Sequence, residues 1–415
     1  MQGARVSLLS RVRPELAEFR PYVSARRGGF EARIRLDANE CPWNRLEDGD
    51  DINAGLNRYP SPQPQHLRAR LAELYGVDRS RVWLGRGSDE AIDLLLRAFC
   101  RAGRDNVVAL DPTFGMYRIG AQLQGAQYRP LTLSADDDFA FDANRLLALT
   151  DADTKLVIVC SPNNPTGALY HDARIERLAA QLAGRALLVI DEAYIEFAGV
   201  ASAAALIDRH DNIAVLRTLS KAHALAGARV GALIAREEII DLISSIAAPY
   251  PLPSPSIRVA LDALDEDALA RTRKRIATLL IERDRVGAAL AASLLVRKVW
   301  PSAGNFLLVR FANAHVAFER LLEADIVVRD FSSQPGLDEC LRITLGRPDE
   351  NDALLAVCCA PALPAATSLH AKASVGGRKS GSPLRLADIQ SSPSHTTPSL
   401  IPSNGVESNP VGTLR

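Results

Sequence analysis

The chain has 415 residues, 47% of them apolar, with 49 basic and 49 acidic side chains. That length can bury a large core and exceeds one typical domain, and the balanced charge argues against nucleic acid or an anionic membrane as a partner. Its six cysteines, Cys41, Cys100, Cys160, Cys340, Cys358 and Cys359, show no metal-ligand spacing, and no apolar run approaches an export signal or a membrane span, so no metal and a reducing cytoplasm are expected.

Residues 1–35 read as an arginine-rich arm, and 36–250 as a large α/β domain. Leu67 to Tyr75 and Asp89 to Cys100 have the spacing of amphipathic helices. Between Val107 and Ala235 continuous apolar runs predict a mostly parallel sheet. One such run, Leu156-Val-Ile-Val-Cys, leads into Ser161-Pro-Asn-Asn-Pro-Thr-Gly167, a turn from which Asn164 either reaches a polar ligand or serves the backbone. The next, Ala186-Leu-Leu-Val-Ile-Asp-Glu-Ala-Tyr194, puts Asp191 at a strand's carboxyl end, where open α/β sheets bind ligands. A carboxylate there can keep a pyridine nitrogen protonated, with Tyr194 reaching the ring's oxygen; the alternative is a helix cap.

The third run ends in Leu216-Arg-Thr-Leu-Ser-Lys-Ala-His-Ala-Leu-Ala-Gly-Ala-Arg229. Lys221 can trap an aldehyde as a Schiff base, while Thr218, Ser220 and Arg229 suit a phosphate; alone, the segment also reads as a solvated surface pair. Pyridoxal 5'-phosphate carries both groups. Asn, Asp and Lys at three successive strand ends are hard to obtain by accident. The prolines of Ala248-Pro-Tyr-Pro-Leu-Pro-Ser-Pro255 then mark a connector into a smaller α+β domain, 251–358. Helices are expected through Arg297, followed by strands at Asn305 to Phe311 and Cys340 to Leu345. From 359 to 415 the composition shifts to Ser, Pro, Thr, Gly and Asn, and a disordered tail is expected.

From about Arg20 to Leu355 the chain resembles the fold type I pyridoxal-phosphate aminotransferases, class II branch, and within them the histidinol-phosphate aminotransferases. The elements that carry the likeness are Pro21-Tyr-Val-Ser-Ala-Arg-Arg27, Leu36-Asp-Ala-Asn-Glu40, Asn57-Arg-Tyr-Pro60, Gly85-Arg-Gly-Ser-Asp-Glu90, Asp111-Pro-Thr-Phe-Gly-Met-Tyr117, Asp191-Glu-Ala-Tyr-Ile-Glu-Phe197 and Cys340-Leu-Arg-Ile-Thr344, with the Asn164 and Lys221 segments. The resemblance implies a cytoplasmic homodimer with shared sites that moves an amino group reversibly between glutamate and imidazole-acetol phosphate. The products are L-histidinol phosphate and 2-oxoglutarate, in histidine biosynthesis.

Residue by residue, it implies that Lys221 holds the cofactor and moves the proton, that Asp191 pairs with the ring nitrogen, and that Asn164 and Tyr194 meet the phenolic oxygen. Phe114, where several members have tyrosine, stacks on the ring. Thr218, Ser220, Arg229 and the amides of Ser88 and Asp89 hold the phosphate, with Tyr59 reaching it from the neighbouring subunit. Tyr22, Arg329 and Arg342 form the substrate's anion site. The tail departs from the family, whose members usually end with the helix that begins near Asp349. Threonine-phosphate decarboxylase, an aromatic aminotransferase and an inactive regulatory protein of the same fold are the competing readings.

Overall fold

The computed structural model describes residues 8–16, 18–21, 36–43, 55–170 and 173–359. Tyr22, most of the expected arm and the tail from residue 360 lie outside them.

Seven strands make the larger sheet: β1 (Val82–Gly85), β2 (Asn106–Asp111), β3 (Gln127–Thr132), β4 (Thr154–Cys160), β5 (Leu187–Asp191), β6 (Ile213–Thr218) and β7 (Gly231–Ala235). Their order is β1-β7-β6-β5-β4-β2-β3. All neighbours are parallel except β7, which runs against both β6 and β1.

The strands of this sheet's centre read as unbroken apolar runs because both faces are covered. Val157, Val159, Leu188, Ile190 and Val215 join one buried cluster, while Leu156, Ile158, Leu187, Val189 and Leu216 join another. Alternation along each strand therefore feeds two cores. The helix Gln65–Tyr75 packs into the first through Leu67 and Leu71, and the helix Ser88–Phe99 into the second through Ile92, Leu95 and Phe99. Both helices begin within two residues of where the apolar spacing predicts.

The prolines end the helix Glu237–Ile246, as expected, but Pro255 belongs to the next helix, Ser254–Asp262. It sits in the first turn, where the absent N–H would have had no helical partner. A 26-residue helix, Glu266–Ala291, follows. The predicted helical stretch stops short of Arg297, which lies in strand β8 (Val296–Val299); Ser293 and Leu294 turn the chain, and Val296 and Val299 then pair with β9 (Phe306–Phe311).

With β10 (Arg329–Asp330) and β11 (Cys340–Thr344) these form an antiparallel sheet in the order β10-β11-β9-β8. One face, Leu307, Val309, Leu341 and Ile343, packs on Val286 and Leu290 of the long helix and on Leu354 of the helix Pro348–Cys358. The other face carries Phe306, which clusters with Ala193, Tyr194 and Ala222. A backbone bond from Ala303 N to Gly167 O, 2.8 Å, ties the approach to β9 to the turn after β4. No helix among the described residues is long and apolar enough to cross a membrane.

Candidate active site

The carboxyl ends of β4, β5 and β6 open into a single cavity. Lining it are Asn164 from the turn after β4, Asp191 and Tyr194 from the end of β5, and Thr218, Ser220 and Lys221 from the end of β6. Because β7 runs the other way, its first residue, Gly231, stands in register with both Thr218 and Gly85, at the carboxyl end of β1. The loop Gly85-Arg-Gly87 and the helix Ser88–Phe99 thereby reach the same cavity from the far side of the sheet.

At that side the chain builds an anion cradle. The helix is capped by Gly87 at φ 78°, which has no side chain to satisfy the first-turn amides, so the N–H groups of Ser88 and Asp89 and the positive end of the helix are left for a ligand. Thr218 Oγ1 donates to Ser220 Oγ at 2.9 Å. Arg229, itself in the left-handed region at φ 55°, lays its guanidinium beside Gly87 and donates from Nη2 to Asp89 Oδ2 at 3.0 Å. Hydroxyls, amides and a guanidinium around one space are the donor set of a phosphate monoester.

Glycine is required at Gly231 by contact rather than by φ. A Cβ there would stand 2.3 Å from Gly87 C and 2.4 Å from Ser88 N, and backbone cannot swing aside as a side chain can. Gly231→Ala is expected to push the loop off the cradle, costing about 1–3 kcal/mol as overpacking does, and to weaken binding of a phosphate monoester there. An unchanged dissociation constant for that ligand would show that the cradle does not depend on this approach.

Asp191 is 2% exposed. Its Oδ2 accepts from the hydroxyl of Tyr117 at 2.7 Å and its Oδ1 from the amide of Ala193 at 3.1 Å. Burial pushes its carboxyl up to about 6; those two hydrogen bonds oppose the rise, Asp89 adds to it and Lys221 opposes it. At neutral pH Asp191 is therefore largely ionised, a buried negative charge facing the cavity. Phe114 lines the same space and meets the Tyr117 ring edge-on, with centroids 5.6 Å apart.

Asn164 spends both ends of its amide. Its Nδ2 donates to Tyr194 Oη at 3.2 Å, and its Oδ1 accepts from Arg342 Nη1 at 2.5 Å. Tyr194 rests edge-on against Phe306 at 5.1 Å, and burial raises its pKa, so the hydroxyl stays a donor. Lys221 Nζ lies 5.7 Å from the centroid of the Tyr194 ring. Partial burial and the charge of Arg342 lower its pKa, against Asp89, with Arg229 lowering it further and Asp191 raising it. A lowered pKa leaves more of the amine neutral and nucleophilic.

Arg342 enters from the second sheet. Between Leu341 and Ile343, which face the other way, its guanidinium lies 5.5 Å from the Phe306 ring and 5.4 Å from the Phe331 ring. Its buried Nε has no partner in the structure. Arg329 stands opposite it in register on β10, and its charge helps lower the pKa of Arg342, after burial and against Tyr194. The unpartnered donor and two adjacent cations leave room for an anion. Tyr59 is 52% exposed, stacks on Tyr250 at 4.5 Å and is not among the residues that line the cavity of its own chain.

Several residues of the site are not singled out by the sequence reading. Tyr117 and Ala193 hold Asp191, Cys160 lines the cavity, and Gly231 shapes the cradle. A strand-end position could have flagged Cys160. Nothing local marks Tyr117, whose partner is 74 residues away.

Residues 34–357 match the family model described as aminotransferase class I and II. The chain is 48% identical over 355 residues to a histidinol-phosphate aminotransferase of Stenotrophomonas maltophilia, covering 85% of this chain and 97% of that one. It is 49% identical over 351 residues to one of Xanthomonas campestris pv. campestris, covering 84% and 96%. Among solved structures, the histidinol-phosphate aminotransferase of Sinorhizobium meliloti in complex with pyridoxal-5'-phosphate superposes with a TM-score of 0.64 at 26% identity, covering 84% of this chain and 98% of that one.

Proposed function

Because the chain belongs to the class I and II aminotransferases, and within them to the histidinol-phosphate aminotransferases, we propose that it moves an amino group reversibly between glutamate and imidazole-acetol phosphate. The products are L-histidinol phosphate and 2-oxoglutarate, in a step of histidine biosynthesis. Its cofactor is pyridoxal 5'-phosphate. The observation that carries the reading is the meeting, in one cavity, of a lysine, a buried carboxylate and an anion cradle.

The donor set fits that cofactor at each end. Ser88 and Asp89 amides, Thr218, Ser220 and Arg229 hold the phosphate. Asp191 holds the proton on the ring nitrogen, Asn164 and Tyr194 hydrogen-bond the phenolic oxygen, and Phe114 covers a ring face. When bound, the cofactor supplies an aldehyde carbon and a ring that accepts electrons from the substrate's Cα. Lys221 Nζ would be the amine that holds that carbon and, when free, the base that would move a proton at the substrate's Cα. Its position beside two arginines keeps the proton easy to give up.

Arg342, with Arg329 and Tyr22, takes the anionic end of each substrate. Histidinol phosphate offers its phosphate, and glutamate a carboxylate, so one cationic pocket serves both half-reactions. In a single turnover the holoenzyme is expected to accept the amino group of L-histidinol phosphate, read as a change in cofactor absorbance. Faster transfer from phenylalanine, or release of carbon dioxide from threonine phosphate, would overturn this assignment.

The reading includes a cytoplasmic homodimer. The six cysteines are unpaired, which fits a reducing compartment, and Tyr59, exposed and away from its own cavity, is available to a neighbour. If Tyr59 completes the partner's phosphate site, a Lys221→Ala chain mixed with a Tyr59→Ala chain forms hybrids with one doubly defective site and one intact site. Activity should then rise above either parent, by a margin set by the loss of one phosphate hydrogen bond, roughly 1.5 to 3 kcal/mol. With subunit exchange confirmed, no recovery would mean that Tyr59 serves its own chain.

A further inference from the structure

We infer that Tyr117 is a positioning residue for the reaction, acting through Asp191 by fixing the carboxylate that meets the cofactor's ring nitrogen. The inference rests on the role proposed above for Asp191 and extends it to a residue with no place in the cavity lining.

Tyr117 is completely buried. A phenylalanine would fill that volume without burying a hydroxyl, and a buried polar group costs stability unless it is bonded. The hydroxyl's single proton goes to Asp191 Oδ2 at 2.7 Å. Burial holds its own pKa well above the usual tyrosine value, so it remains a donor at every pH of interest. The oxygen also contacts the thiol of Cys160, itself buried at the end of β4.

The topology makes this bond unusual. Tyr117 opens the helix Met116–Gln124, just after β2, and β4 lies between β2 and β5 in the sheet. The hydroxyl thus crosses the carboxyl end of one strand to reach a carboxylate on the next but one. Ala193 N holds the other carboxylate oxygen from within Asp191's own turn. With one donor on each oxygen, the plane of the carboxylate is set, and the lone pairs left over face the cavity. Removing the tyrosine donor leaves a single hinge at Oδ1 about which the carboxylate can turn. The edge contact from the same ring to Phe114 at 5.6 Å couples this anchor to the residue assigned to the ring face.

The test is Tyr117→Phe in the full chain, compared with Asp191→Asn, with the double variant, and with Tyr170→Phe. Tyr170 is an equally buried tyrosine that bonds Phe139 O at 2.7 Å, on the other core and outside the lining, and it controls for the general cost of losing a buried hydroxyl. Pyridoxal phosphate is titrated and its dissociation constant read by fluorescence quenching; kcat and KM are measured with histidinol phosphate. Tyr117→Phe is expected to weaken cofactor binding roughly tenfold or more, the size of one hydrogen bond to a charged group. It should also lower kcat while leaving KM unchanged, because Arg342 is untouched. Tyr170→Phe should change neither.

In the Asp191→Asn background, Tyr117→Phe should add nothing, since residues acting in series are not additive. Full additivity, or equal effects of Tyr117→Phe and Tyr170→Phe, would overturn the inference. An effect of Asp191→Asn with none from Tyr117→Phe would overturn it while leaving the role of Asp191 intact. Should Asp191→Asn itself change nothing, the reading of Asp191 would fall and the inference with it.

Discussion

Lys221→Ala is expected to remove turnover almost entirely. General acid–base catalysis by one side chain is worth about 10²- to 10⁴-fold, and in the proposed role the same amine also makes the covalent attachment, so the combined loss is on the order of 10⁴-fold or more. The absorbance band of the lysine-bound cofactor should vanish with it. The fold should persist, because Lys221 lines the cavity and belongs to none of the buried clusters, and far-ultraviolet circular dichroism would read that. Lys221→Arg separates the two explanations of such a loss. It keeps a positive charge but offers no amine that can add to an aldehyde, so it should be as inactive as the alanine variant. Wild-type turnover in either would remove Lys221 from the chemistry.

The second large effect is expected at Arg342. Truncation to alanine withdraws the cation and also strips Asn164 Oδ1 of its donor, disturbing the residue that positions Tyr194. Removing one member of a buried charge-assisted contact costs about 2–5 kcal/mol, so kcat/KM for histidinol phosphate should fall by roughly 30-fold to several thousand-fold. KM should rise for glutamate and for histidinol phosphate alike if, as proposed, both anions use the same pocket. Arg342→Lys keeps the charge but not the planar fork, and should recover only part of the loss. A rise confined to one substrate would mean that the two half-reactions use different anion sites.

These two expectations differ in how far they could be read from sequence. The Lys221 segment carries its chemistry locally: the lysine, two hydroxyls and an arginine sit within a dozen residues of one strand end. Asp191 is legible for a similar reason, since a continuous apolar run that stops at an acid places that acid at the ligand-binding edge. Arg342 is partly legible. Alternation in Cys340 to Thr344 turns it away from Leu341 and Ile343, and the structure bears this out, but its contact with Asn164 spans 178 residues. The helix limits near Pro255 and Arg297 were misplaced because proline is permitted in a first helical turn and because β8 gains its conformation by pairing with β9.

What the sequence by itself determined is the central strands of the larger sheet and the chemistry at their ends: apolar period, turn residues and the nature of each strand's last polar side chain are local properties of the chain. The tertiary structure alone decided which of those ends meet and what holds them there. The antiparallel insertion of β7 brings Gly231 against Gly87 and forms the cradle, and the position of β4 between β2 and β5 lets Tyr117 grip Asp191. The physical reason is that such contacts depend on strand order and on side-chain reach across a packed sheet. Residues far apart in sequence acquire a shared environment only when the two cores on either side of the sheet have closed.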